Sequence, residues 1–303
     1  MLVQILLLIS NTVMYSTPLV FGALGGLMSE KSGVTNIGLE GMMTVGAASG
    51  VSIAYLTGNP WLGFLGAGIA GALVALLHAV ASITFRANQS VSGIAINLLG
   101  AGASLFLIRI VFGALNTPPV PQKLPKIFSD SSVLGAFSRL NFEATSVIAL
   151  ILTLVIWFVF AKTKWGLRIS SVGENPVVAD SLGLSVYKIR YACVMISGCL
   201  AGLGGAAMTL SILSSFTPTA ISGHGFIALT AVIFGKWKPA RVYLSCLFFG
   251  LAQAVVIQFG GSGILSSQIV AMLPYILTII VLVLFVGRST GPKASGVPYE
   301  KGK

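Results

Sequence analysis

The sequence predicts an all-α, polytopic transmembrane bundle. Three observations carry that reading. Hydrophobic residues make up 55% of the 303 and charged residues only 8%, with a mean hydropathy of +0.96; soluble domains carry about 25% charged residues. Apolar runs recur at close to the roughly 20 residues needed to cross hydrocarbon, enough for about 9–10 spans, some of them broken. Glycine is frequent, at 36 residues, and in lipid small side chains let helix backbones approach closely.

The apolar runs fall near 2–27, 37–56, 60–85, 91–113, 144–161, 190–213, 224–235, 241–259 and 265–286. The first has no basic residue in Met1–Val3, so it lacks the charged start of a signal peptide and reads as a span. The second is weakened by glycines and by Glu40. The seventh is too short to cross as a regular helix. Glycines four apart, Gly22/Gly26, Gly46/Gly50 and Gly198/Gly202, mark faces for tight packing. Cys193, Cys199 and Cys246 sit in apolar runs away from any metal-like spacing and read as small core residues.

Charge sets the orientation. If the segment Trp165–Arg190 is cytoplasmic, alternation places Lys31, Arg86, Lys162, Lys164, Arg168, Lys188, Arg190, Lys236, Lys238, Arg241, Arg288, Lys293, Lys301 and Lys303 inside, 14 of the 18 basic residues. Lys123, Lys126 and Arg139 fall outside, and Arg109 lies near the outer end of the fourth run, where it is expected to snorkel. This asymmetry follows the positive-inside rule. The N-terminus is then outside and the C-terminus cytoplasmic. Residues 1–289 form one membrane domain with a cytoplasmic loop at 163–189, and 290–303 form a cytoplasmic tail. The net charge of +11 belongs to this topology and not to a nucleic-acid site. The proline-rich outer loop, about 114–143, either touches a substrate-delivery protein or only joins two spans.

Trp165–Arg190 is the longest charged segment between apolar runs. Within it lies a short helix with its own punctuation: Asn175 suits the N-cap, Pro176 the first helical position, and Gly183 a left-handed end. Elsewhere, Ile37–Met43 and Ile227–Ile233 share a pattern of large and small residues, each after a polar, glycine-containing break. The first enters from inside and the second from outside, as an inverted repeat requires, and paired broken helices are a recurrent way to build a substrate path.

Catalysis finds little support. No phosphate loop occurs, since Gly235-Lys236 is followed by Trp237. The two histidines, His78 and His224, are far apart, and the 7 acids offer neither a metal cluster nor a catalytic triad. His78 reads as a satisfied packing residue. Glu40 is the only acid well inside a run; it either hydrogen-bonds at a helix break or serves as a proton relay. Asn11, Asn36, Gln89, Asn97, Ser211, Gln253 and Gln258 join Glu40 and His224 as polar groups that hold helices together or line a path. Phe216, Phe226 and Phe259 offer faces to a flat ligand. The path candidates are Asn36, Glu40, Asn97, His224, Phe226 and Gln253.

Four segments, SGVTNIGLEGMM (Ser32–Met43), WGLRISSVGENPVVADSLGLSVYKIR (Trp165–Arg190), ISGCLAGLGGA (Ile196–Ala206) and SGHGFIALTAVIFGKWKP (Ser222–Pro239), carry a resemblance. Over nearly its full length the chain resembles permease subunits of bacterial ABC importers of the ribose/branched-chain amino-acid type, closest to the nucleoside-uptake branch. The resemblance implies a multi-pass subunit of the bacterial cytoplasmic membrane with no enzymatic activity of its own. Its implied partners are a second homologous permease, a cytoplasmic ATPase that holds ATP and Mg, and an extracytoplasmic nucleoside-binding lipoprotein. It also implies that Gly173–Gly183 is the coupling element. Glu174, Asn175 and Asp180 would be its polar contacts, and Val177, Val178 and Leu182, in the helix bounded by Pro176 and Gly183, would pack into a groove of the ATPase. The cargo is expected to be a nucleoside, with purines favoured; a simple sugar or branched-chain amino acid is the alternative within this class. A proton-coupled carrier using Glu40 and a non-transporting scaffold are the alternatives outside it.

Overall fold

A computed structural model describes residues 2–127, 142–259 and 291–301, with single helical positions at Met272, Ile276, Ile279, Ile280 and Val283. Most of the run near 265–286, and Arg139, Arg288 and Lys303, lie outside the described residues, as does the side chain of Phe259. In chain order the helices are α1 (Leu2–Lys31), α2 (Leu39–Thr57), α3 (Pro60–Ala79), α4 (Gln89–Phe112), α5 (Ala144–Lys162), α6 (Lys164–Glu174), α7 (Pro176–Ser181), α8 (Val186–Ala207), α9 (His224–Phe234) and α10 (Pro239–Phe259). Short π-helical stretches, Val80–Thr84 and Met208–Leu213, prolong α3 and α8.

Six of the described helices (α1, prolonged α3, α4, α5, prolonged α8 and α10) are long and apolar enough to cross a membrane. α9 is too short, as its sequence predicts. α2 lies inside the bundle, enclosed by α3, α4 and α8, while α1 packs on α8, α9 and α10. Such close packing requires missing side chains. A Cβ on Gly46 would lie 2.4 Å from Gly202 Cα, and one on Gly198 2.2 Å from Ala75 Cβ. The i,i+4 glycines of α2 and α8 are therefore packing surfaces, as read from the sequence.

The chain ends and turns separate to two faces. Lys31, the α3–α4 turn, α6, α7, the α9–α10 turn and residues 291–301 share one, hereafter the α7 face. The α2–α3 turn and residues 113–127 lie at the other. The described basic residues assigned to the inside gather at the α7 face. On the opposite face the first half of the proline-rich loop is zipped to the end of α8: Thr117 N–H donates to Phe216 O (3.2 Å), Val120 N–H to Ser214 O (2.8 Å) and Leu124 N–H to Leu210 O (3.2 Å). This backbone pairing also buries Phe216, which leaves it no face for a ligand.

Residues 32–38 are irregular and climb from the α7 face into the bundle. Asn36 meets Ser197, 11 residues along α8, or about 16 Å at 1.5 Å per residue. α2 thus begins near mid-depth. Residues 214–223 descend from the opposite face and α9 begins at the same level, so the two breaks meet.

Candidate functional site

Two constructions stand out, one on the α7 face and one at the meeting of the breaks. On the face, Thr163 opens α6 by accepting from Gly166 N–H (3.3 Å). Gly166, Ile169, Val172 and Gly173 form its buried side. Gly173 lies so close to α1 that a Cβ there would sit 2.2 Å from Lys31 O. After Glu174 the chain turns at Asn175, whose Oδ1 accepts from Val178 N–H (3.2 Å), and Pro176 starts α7. The end is a Schellman turn. Leu184 N–H donates to Ala179 O (3.0 Å) and Gly183 N–H to Asp180 O (2.9 Å), with Gly183 at φ +81°.

α7 buries Ala179 against Val172, Val186 and Tyr299. Its remaining apolar side chains face outward: Val177 is 52% exposed, Val178 51% and Leu182 75%. Glu174 and Asn175 are exposed as well, whereas Asp180 is half-buried and faces the Tyr299 hydroxyl. Asp180 is therefore engaged inside the chain, on the side of α7 away from the three outward apolar groups.

Tyr299 belongs to a strap that sequence reasoning treated only as a tail. Ala294 N–H donates to Gly173 O (2.9 Å), and the Ser295 and Thr35 hydroxyls lie 2.9 Å apart. The buried Arg190 guanidinium donates to Ser32 O and Val297 O, both at 3.2 Å. Arg86 pairs with Glu300 at 2.8 Å. Tyr187 donates to Tyr299 O (3.4 Å), with the two rings 5.6 Å apart. The strap so joins α6, α7 and α8 to the segment that leads into α2.

At the breaks, Glu40 in the first turn of α2 accepts from Gly223 N–H and Gly225 N–H, each at 2.6 Å. It completes the N-terminus of α9, where N–H groups have no partner within the helix. Gly225 permits the approach, since a Cβ there would lie 2.5 Å from Glu40 N. Asn97 performs the matching task for α2: Oδ1 accepts from Gly41 N–H (2.9 Å) and Nδ2 donates to Ile37 O (3.0 Å). Asn36 has no exposed surface; Nδ2 donates to Ser197 Oγ (2.9 Å) and Oδ1 accepts from Gly38 N–H (3.1 Å). Gln89 accepts from Thr35 N–H (2.7 Å), and buried His78 lies between Ser92 Oγ (2.9 Å) and Thr35 O (3.2 Å).

Of the six path candidates, Asn36, Glu40 and Asn97 thus hold broken backbone together. The others lie beside them on α9 and α10. His224 Nδ1 is 3.2 Å from Ile221 O, and its Nε2 is 3.4 Å from Gln253 Nε2. Gln253 Oε1 is buried without a partner, and Phe226 is 49% exposed. No group of three metal-ligating side chains occurs among the described residues.

A chain of spans with paired breaks at mid-depth and a capped helix offered outward has the form of a transport subunit. The family model described as "Branched-chain amino acid transport system / permease component" matches residues 8–284. The chain belongs to that family. It is 46% identical to the guanosine ABC transporter permease protein NupQ of Bacillus subtilis, covering 100% of this chain and 99% of the relative. It is 40% identical to the nucleoside ABC transporter permease protein NupC of Lactococcus lactis, covering 98% of each. Among solved structures, an ABC transporter of metal-chelate type in an inward-facing conformation shares the fold, with TM-score 0.52 and 14% identity over 91% of this chain and 84% of that one. The protein is a multi-pass membrane permease subunit and not an enzyme.

Proposed function

We propose that this permease is one of two homologous subunits of an ATP-driven nucleoside importer, with purine nucleosides as cargo. The relatives named for guanosine and nucleoside transport support the cargo. The observation that carries the mechanism is α7 itself, whose exposed face is apolar (Val177, Val178, Leu182) while its inner face is fixed to the bundle. A helix held this firmly on one side and left apolar on the other is a docking element for a separate protein. That protein is the ATPase, which binds ATP and Mg; the α7 face is then cytoplasmic, in keeping with its basic residues. An extracytoplasmic binding lipoprotein delivers cargo at the opposite face.

Motion of α7 reaches the breaks by two short routes, through Gly173 against the end of α1 and through the strap to Thr35. The half-exposed Phe226 and the unpartnered Gln253 Oε1 stand beside the breaks as the cargo-facing groups of this chain. The second subunit supplies the other wall. A carrier reading would require Glu40 to exchange a proton, but its carboxylate is committed to the N-terminus of α9.

Uptake of labelled guanosine and adenosine tests this reading, with excess ribose and leucine as competitors. Val178→Asp and Leu182→Asp change only outward side chains and are expected to abolish uptake with the protein still in the membrane. Asp180→Arg and Pro176→Gly should do the same, although Asp180→Arg also breaks the contact with Tyr299. Normal uptake in the two outward variants rejects α7 as the coupling element, and competition by ribose or leucine rejects nucleoside as cargo. Uptake that survives vanadate but collapses with an uncoupler rejects the ATP-driven reading.

A further inference from the structure

On the α7 face, α1, α5, α6 and α10 end around a cleft of about 360 Å3. Its rim is cationic. Lys31 ends α1, Lys238 precedes Pro239, and Arg241 lies in the first turn of α10. Its walls are aromatic: Trp157 and Phe160 come from α5, and Trp237 is fixed by donation from its indole N–H to the buried carboxylate of Glu30.

Lys31 and Lys238 lie near enough to repel each other; Glu174 partly offsets Lys31, and the buried Glu30 carboxyl behind Trp237 is a second acid beside the cleft. The one ion pair among the described residues, Arg86–Glu300, uses none of the three cations. Like charges gathered beside apolar walls repel more strongly than in open water, and an anion between them reverses the sign of that interaction. The first turn of α10 adds backbone N–H groups and the positive end of a long helix.

A free anion would satisfy the rim alone. What surrounds the rim points to an amphiphile. On α5, Leu150, Leu154 and Trp157 are exposed at helical spacing; on α10, Leu244, Phe248 and Leu251 follow Arg241 in the same way. Both apolar faces run from the cations toward mid-bilayer, the path an acyl chain takes. Tryptophan favours the boundary between hydrocarbon and water, and basic pockets between helix ends suit anionic headgroups. We propose that the cleft binds the headgroup of an anionic phospholipid from the leaflet on the α7 side. Its phosphate lies among Lys31, Lys238 and Arg241, and its chains lie along α5 and α10. The proposal rests on membrane placement and is independent of the cargo.

The test uses the assembled transporter in nanodiscs that contain phosphatidylglycerol in phosphatidylcholine. Lipid retained through detergent exchange is read by native mass spectrometry. The double variant K238Q/R241Q is expected to weaken phosphatidylglycerol retention by roughly 30-fold, as loss of two surface cations predicts. K188Q/K293Q removes two exposed charges from the same face and should leave retention unchanged. Equal loss in both variants overturns the proposal in favour of general surface charge. Displacement of the lipid by inorganic phosphate, with equal stabilisation in pure phosphatidylcholine, overturns it in favour of a free-phosphate site. A photoactivatable phosphatidylglycerol gives a reading on the wild-type protein that no folding defect affects. Labelling of the peptides around Trp157 and Arg241 supports the site. Labelling only elsewhere, or protection of Lys238 by the docked ATPase without lipid label, overturns it.

Discussion

The N-termini of α7 and α9 are finished by side chains in contrasting ways. α7 is capped from within its own turn, where Asn175 accepts from Val178 N–H three residues on. α9 is capped from another helix, where Glu40 reaches Gly223 and Gly225 across more than 180 positions of sequence. The first helix therefore draws its cap from its own turn, while Ala179 fastens it to Val172, Val186 and Tyr299. The second exists only while α2 stays beside it. A local cap suits a part that is pushed; a remote cap suits a junction that registers whether two half-helices are together.

The sharpest way to break this comparison is Glu40→Leu. It removes the acceptor of Gly225 N–H, which is buried, and of Gly223 N–H, which is half-buried; a buried N–H left without a partner costs about 1–3 kcal/mol, and more where the lost acceptor is charged. The expected outcome is loss of folded protein from the membrane, read by size-exclusion chromatography after extraction. Glu40→Gln keeps one acceptor oxygen and should lower the melting temperature while sparing part of the uptake. A Glu40→Gln protein with unchanged melting and no uptake would instead make Glu40 a working ionisable group.

Gly173→Val addresses the first route between the two regions. Its Cβ would meet Lys31 O at 2.2 Å, a backbone contact that cannot turn aside, so α6 must lift from α1. Uptake should fall at least tenfold while nucleotide hydrolysis by the docked ATPase persists, since α7 keeps its outward face; a fold-change of that size corresponds to about 1.4 kcal/mol of lost coupling. Tyr299→Ala addresses the second route and should act more mildly. It removes one aromatic ring and the partner of Asp180, while Ala294, Ser295 and Val297 keep the strap in place. A several-fold loss of uptake without a change in membrane level is expected, and no loss would assign transmission to Gly173 alone.

Which parts the sequence announced follows from the same division. Asn175, Pro176 and Gly183 signal a helix start and stop through local geometry, and the structure has that helix. The apolar runs and the glycine pairs are likewise local or periodic: six runs coincide with described helices long enough to cross a membrane, those near 37–56 and 224–235 form α2 and α9, and most of the run near 265–286 lies outside the described residues. α6 falls within the stretch 163–189 that reads as a loop between apolar runs, although Gly166, Ile169 and Gly173 recur at the spacing of a helix face. The partners of Glu40 are backbone N–H groups of glycines, which carry no side chain to signal them. The strap left no mark at all, because residues 291–301 make most of their contacts with positions more than a hundred residues away.

Asn175→Ala has the smallest expected effect and probes the comparison most directly. It removes one capping acceptor from a solvent-exposed N-terminus, where water replaces much of the lost hydrogen bond; the cost is about 1 kcal/mol or less. Pro176 and the Schellman turn at Gly183 still define the helix. The melting temperature should therefore barely change, while uptake falls a few-fold because α7 is less often in its docking shape. Asn175→Asp restores an acceptor at the positive end of the helix and should recover uptake. Rescue by aspartate would tie the loss to the cap. Failure of aspartate to rescue, with melting still unchanged, would mean that the Asn175 amide meets the partner protein directly and that α7 owes its shape to Pro176 and Gly183 alone.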